Sequence, residues 1–280
     1  VVNTNFVLLD RQAGDAATCL NASFRFLRQS WGRRWVGLGC VVDACADYLD
    51  LEGPDQTEDS RRLLAAARRV AAHIEAEYSP GWTAHISEPS YHNRLHFSDS
   101  LAAISVQVSI ESTRSGLHDL AWKAAMVLIA VAHDLRHPGR VNSVPCEIEQ
   151  QSFDALRPHL EHCGVAVVWM QRIEAVIVRS DFSAVAHNHN RIAGRSFSWG
   201  TDWASVLLNE ADIMASASAE FGPALGRSLA QEWERIQFPA YRSVATPQGR
   251  RTFLESLQFS SVSAGVLGAA TQVRHQLETL

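Results

Sequence analysis

Lysine is almost missing from these 280 residues: Lys123 is the single one, and arginine carries the rest of the positive charge. Lys+Arg total 25 against 30 Asp+Glu, a formal net charge of -5. No basic surplus is left to neutralise phosphates, which excludes nucleic-acid binding through a basic surface. Cysteine is sparse too. Cys19, Cys40, Cys45, Cys146 and Cys163 are odd in number and form no Cys-x-x-Cys pair. A disulfide framework or a cysteine zinc site is therefore not expected, and a reducing, cytoplasmic setting is. The longest apolar run, residues 124–132, is about half of the ~20 residues a membrane-spanning helix needs. No basic start followed by an apolar block marks a secretory leader, and no repeat or low-complexity tract appears. The sequence opens on Val1-Val2 instead of methionine, so a longer protein with an upstream domain is expected.

What is present describes an ordinary globular chain, 46% hydrophobic and 20% charged, long enough to bury a sizeable core. Apolar residues recur at three and four positions over 63–74, and 117–133 is apolar enough for a buried helix. Further helices are expected over 101–110, 165–178, 203–217, 218–236 and 252–280. Gly and Pro place loops at 51–55, 79–81, 137–139, 194–196 and 246–249. The expectation is an all-α fold, with 1–55 an N-terminal helical portion or linker and 56–280 the main domain.

The chemistry concentrates in three segments. His133-Asp134 is followed by His137, Pro138-Gly139 and Asn142, directly after the apolar run. Upstream, Tyr91-His92-Asn93-Arg94-Leu95-His96 carries two histidines four residues apart, a spacing that puts both on one face of a helix. Downstream, Glu210-Ala211-Asp212-Ile213 offers a carboxylate among apolar residues. His96, His133, Asp134 and Asp212 would give one ion two nitrogens and two oxygens, a set suited to zinc, manganese or iron, while carboxylate and water suit magnesium. Asp134 can bridge to a second ion. Two ions a few ångströms apart activate water, lowering its pKa from about 15.7 toward about 7, and clamp a phosphoryl group for in-line displacement. His92 is then placed to protonate the departing alkoxide. Asp99 and Asp181 are candidate partners of the imidazoles. His187-Asn188-His189 is expected in a polar loop, His159 and His162 at a helix end, and Trp31 and Trp35 among core aromatics.

The segment Tyr-His-Asn-x-x-His-x-x-Asp, the signature His-Asp-x-x-His-Pro-Gly-x-x-Asn and the later Ala-Asp-Ile resemble the catalytic domain of class I 3′,5′-cyclic nucleotide phosphodiesterases. That family is a branch of the HD metal-dependent phosphohydrolases, and the resemblance is to a bacterial-like member spanning roughly 91–259. Val178-Arg-Ser-Asp181-Phe-Ser183 is similar to the family's Ala-Thr-Asp-Met-Ser. The resemblance implies a compact helical bundle, a tight Zn2+ site made by His96, His133, Asp134 and Asp212, and a second site for Mg2+ or Mn2+. It implies His92 as general acid, His137 and Asn142 as supports of the second ion's water shell, and Glu147 orienting the attacking water. Around the substrate it implies Tyr91, Asn142, Ile213, Phe259 and Gln258. Two departures fall at the base. Met214-Ala215 stands where the family has Ser-Asn, and aligning Phe259 with the family's stacking residue puts Ser256 where a purine-gripping Gln belongs. Gln258 substitutes only with a shifted helix. Loss of a bidentate amide weakens base discrimination by ~1–3 kcal/mol.

The resulting expectation is hydrolysis of a cyclic nucleotide, cAMP or cGMP, to its 5′-monophosphate. The expected partners are that small molecule and either a second copy or an upstream regulatory domain. Two alternatives stand beside it: an HD-type phosphohydrolase for another phosphoester, and a catalytically silent ligand sensor that keeps the metal pocket.

Overall fold

The computed structural model describes residues 8–12, 14–31, 34–78 and 88–280. The loop expected at 79–81 lies outside them. Among the described residues there are fourteen helices and no strand. The first five are α1 (Ala16–Ser30), α2 (Leu38–Tyr48), α3 (Glu58–Glu77), α4 (Arg94–Ser115) and α5 (Leu120–Ala132). After them come α6 (Glu147–His162), α7 (Val167–Val178), α8 (Phe182–Ile192), α9 (Thr201–Ala217) and α10 (Gly222–Arg235). The last four are short: α11 (Tyr241–Val244), α12 (Pro247–Ser256), α13 (Val262–Val266) and α14 (Ala269–Thr279). No helix is long and apolar enough to cross a membrane among these residues.

The core is built on α5, whose residues from Ala121 to Ala132 are all buried. A helix apolar on every side must lie inside a bundle. It does so here, packing on α3, α4 and α9. Leu128 and Ile129 are fully buried, each worth roughly 1.5–3 kcal/mol in water-excluded area. Helix α4 is buried over most of its length with Ser98, Ser100, Ala102, Ala103 and Ser105 along it, small residues that allow α9 to come close. Helices α1 and α2 add Leu20, Phe24, Leu27, Val41, Val42 and Cys45 to the same apolar cluster.

Three segments depart from the sequence pattern. The stretch 252–280 is three helices rather than one. Buried Glu210 accepts from Ser260 N and Ser261 N at 2.6 and 3.0 Å, and Ser261 caps α13, so the chain is held out of helix there. Residues 246–249 form a helix start instead of a loop, because the Thr246 hydroxyl accepts from Gly249 N at 3.1 Å with Pro247 in the first turn. The His187-Asn188-His189 stretch is helical: Asp181 caps α8, leaving His187 exposed while Asn188 and His189 are buried.

Candidate metal centre

Each donor reaches the centre from a helix end or a packed helix face. Asn93 is in extended conformation, and its side chain accepts from Leu95 N and His96 N at 3.0 and 3.1 Å, so α4 starts at Arg94. His92 thus precedes the cap and lies outside the helix. The expected shared helical face does not exist, yet the rings of His92 and His96 are 5.7 Å apart because the cap fixes the entry of the chain. His133 ends α5, with ring Nδ1 3.0 Å from the Ala130 carbonyl. A proton on Nδ1 directed at that carbonyl leaves Nε2 as the free donor atom. Asp134 follows at the turn, and Asp212 enters from α9.

These four residues converge. His96 Nε2 lies 3.2 Å from Asp134 Oδ2 and 3.1 Å from Asp212 Oδ1, and His133 Nε2 lies 3.3 and 3.5 Å from the same atoms. One donor atom from each falls within 4.8 Å of the others. His133 Nε2 is buried without a hydrogen-bond partner. An orphaned buried nitrogen facing two carboxylates, with a second imidazole beside it, fits a divalent cation. The electrostatics agree. Burial alone would keep His96 neutral, but Asp134 and Asp212 push it up to about 9, and His133 is raised well above the usual imidazole range against the same burial. Against burial, the histidines hold Asp134 and Asp212 below the usual carboxylate range.

A second group, His92, His137 and Glu232, stands next to the first. The His92 and His137 rings stack at 3.6 Å, and His92 Nε2 is 4.0 Å from Asp134 Oδ2. His92 Nδ1 meets Glu232 Oε1 at 2.5 Å, while Glu232 Oε2 accepts from Tyr91 N and His92 N at 2.7 and 3.1 Å. Against its own burial, Glu232 is pushed down to about 2, chiefly by His92. Burial and the neighbouring His92 push His137 down to about 3, and its Nδ1 accepts from Gly139 N at 3.0 Å. Gly139 is left-handed at φ 73°, and a Cβ there would meet Glu232 Cγ at 3.0 Å. Sequence reasoning missed Glu232. The available signal was its position seven residues after buried Leu225 on α10, an acid at a core-facing position.

The remaining expected residues are dispersed. Asn142 donates to Glu149 at 2.8 Å and Asp181 at 2.5 Å and accepts from Ile148 N. Glu147 points to Arg140 and Ser143 N instead, which push it down to about 2. Two residues on, Glu149 accepts from Asn142 Nδ2 at 2.8 Å, and burial, Asp181 and Asp134 raise it. Asp99 is held bidentately by Arg28 at 2.8 Å, and Asp181 caps α8; among the described residues neither bonds to an imidazole. Tyr91 bonds Ser216 Oγ at 2.9 Å and lines a cavity of about 230 Å³ with Pro223, Leu225, Arg250 and Phe253. Ile213 is half-buried beside Asp212. Gln258 and Phe259 fall in the link between α12 and α13 and line a different cavity, of about 860 Å³, with His189.

An all-helical bundle of this shape has the fold of a phosphodiesterase catalytic domain. The structure is similar to that of the Leishmania phosphodiesterase LmjPDEB1, solved in complex with IBMX, with a TM-score of 0.67 over 96% of this chain and 92% of that one. Identity is 12%, so the likeness is one of fold. No protein-family model and no curated protein matches the chain.

Proposed function

We propose that the chain is a metal-dependent phosphodiesterase that opens a 3′,5′-cyclic nucleotide, cAMP or cGMP, to the 5′-monophosphate. The observation that carries this reading is the juxtaposition of a four-donor His/Asp cluster with a histidine gripped by a carboxylate, within a bundle of phosphodiesterase fold. His96, His133, Asp134 and Asp212 would hold the tighter ion, two imidazoles and two carboxylates being a set that suits zinc. Asp134 would also serve a second ion, Mg2+ or Mn2+, with His137 and Asn142 as supports and Glu149 holding Asn142. Bound there, divalent ions supply Lewis-acid activation of water and neutralise phosphoryl charge.

The chain's own residues do the rest. The Glu232 carboxylate takes the Nδ1–H of His92 and fixes the orientation of the ring. This leaves His92 Nε2 turned toward the centre, where it gives its proton to the departing 3′ alkoxide oxygen. Gly139 leaves the room that Glu232 occupies. The cavity beside Tyr91 takes the organic part of the ester, with Pro223, Leu225 and Phe253 as its apolar wall. The five unpaired cysteines support a reducing, cytoplasmic setting.

A second reading, hydrolysis of a different phosphoester, draws on that same cavity. None of its lining residues carries a side-chain amide to read a base edge, and Arg250 spends its terminal nitrogens on the carbonyls of Ser216, Ala217 and Ser218 and on Gln276. Incubating Mn2+-loaded protein with cAMP and with cGMP, and identifying the product by chromatography, tests the choice. Release of AMP or GMP supports the first reading. Hydrolysis of bis(p-nitrophenyl) phosphate without either product supports the second.

A further inference from the structure

Each histidine-bearing segment has an arginine set between its functional side chains: Arg94 between His92 and His96, and Arg136 between Asp134 and His137. The last turn of α3 holds both. Arg94 Nη1 donates to Glu75 Oε2 at 2.6 Å, and its other nitrogens reach Glu88 at 2.9 Å. Arg136 Nε and Nη2 donate to Glu77 Oε1 at 2.9 and 2.7 Å, with His73 Nε2 3.3 Å from Nη2. Glu77 is only 6% exposed, an unusual depth for a carboxylate unless a cation holds it there.

Arg136 is also left-handed, at φ 61°. A residue with a Cβ adopts that conformation only where its surroundings impose it. Here it closes the turn in which His137 N–H donates to the Asp134 carbonyl at 2.9 Å. That turn delivers Asp134 to His96 and His133, and His137 to the face of His92. The Arg136 guanidinium is tied to α3, a helix that contributes no donor to the centre.

We propose that Glu77 is a positioning residue for the metal centre: through Arg136 it pins the left-handed turn that presents Asp134 and His137. This rests on the metal-centre reading above. The pair would then set the affinity of the site for its ions, as outer groups that orient metal ligands do.

The test is calorimetric titration of Zn2+ alone and Mn2+ alone into metal-stripped wild type, Glu77→Gln, Arg136→Gln and the double variant, with circular dichroism to establish folding. Each single variant is expected to weaken binding by about tenfold or more. The double variant is expected to bind no worse than the weaker single, because both remove one interaction. Arg136→Lys, which keeps the charge, is expected to recover part of the loss. A folded single variant that binds both ions within about twofold of wild type overturns the proposal. Should Glu77→Gln not fold, Arg136→Gln decides alone, since that side chain is half exposed. Wild-type protein that binds neither ion overturns the metal-centre reading itself, and this proposal with it.

Discussion

Glu232 Oε1 lies 2.5 Å from His92 Nδ1, although the two are 140 residues apart in sequence. The contact sets which nitrogen of His92 faces the His/Asp cluster, and under the proposed function it makes leaving-group protonation separable from metal binding. Glu232→Gln is expected to lower turnover of cyclic nucleotide by about 10²-fold, the lower end of what a general acid contributes. Bis(p-nitrophenyl) phosphate, whose leaving group needs no proton, is expected to be hydrolysed at a rate close to wild type. Steady-state kinetics on both substrates check this; equal losses on the two would remove the acid role from the His92–Glu232 pair.

Gly139 gives the same pair a steric test. Its φ of 73° strains any residue with a Cβ, and that atom would press on Glu232 Cγ at 3.0 Å. Gly139→Ala is expected to cost about 1 kcal/mol of stability from the backbone alone. It is also expected to reproduce the selective loss of Glu232→Gln on cyclic nucleotide. Urea denaturation and the same two-substrate assay measure the two effects separately.

The three donor segments were legible in the sequence because each carries a dense local motif: His133-Asp134 with Pro138-Gly139, His92 with His96, and Asp212 among apolar residues. Helices α3, α5, α7 and α9 were legible from their apolar pattern. What was not legible depends on long-range contact. The four-residue spacing from His96 puts His92 on a helix, but the Asn93 cap excludes it. Glu232 has no motif of its own, and meets His92 only through the packing of α10. The break after α12 was hidden for the same reason, since buried Glu210 on α9 holds Ser260 and Ser261.

The Asn93 cap accounts for both the start of α4 and the placing of His92. Asn93→Ala is expected to cost about 1 kcal/mol in metal-free protein, the usual effect of removing a cap side chain. Because the cap also orients His92 and His96, Zn2+ affinity is expected to fall with it. Denaturation with chelator present and a separate Zn2+ titration follow the two consequences; an unchanged unfolding midpoint would contradict the cap.

Stability should depend on His159. Burial, then the nearby His73, Arg69 and Arg136, push its pKa down to about 4 from the ordinary value near 6.5. The unfolded chain therefore binds this proton first as pH falls. The contribution is fully present above about 6.5 and is lost between there and about 4. His159→Gln is expected to flatten the fall of the thermal midpoint across that window. A decline as steep as wild type would assign the acid sensitivity to other groups.

His96, His133, Asp134 and Asp212 are proposed to form one metal centre on which hydrolysis depends. The most direct measurement determines bound zinc and manganese by mass spectrometry, and release of AMP and GMP from cyclic nucleotide, in the same preparations of wild type and Asp134→Asn. Bound metal and turnover are expected in wild type, and loss of both in the variant and after chelation. Turnover that survives chelation, or a variant that keeps its full metal content and activity, would contradict the proposal.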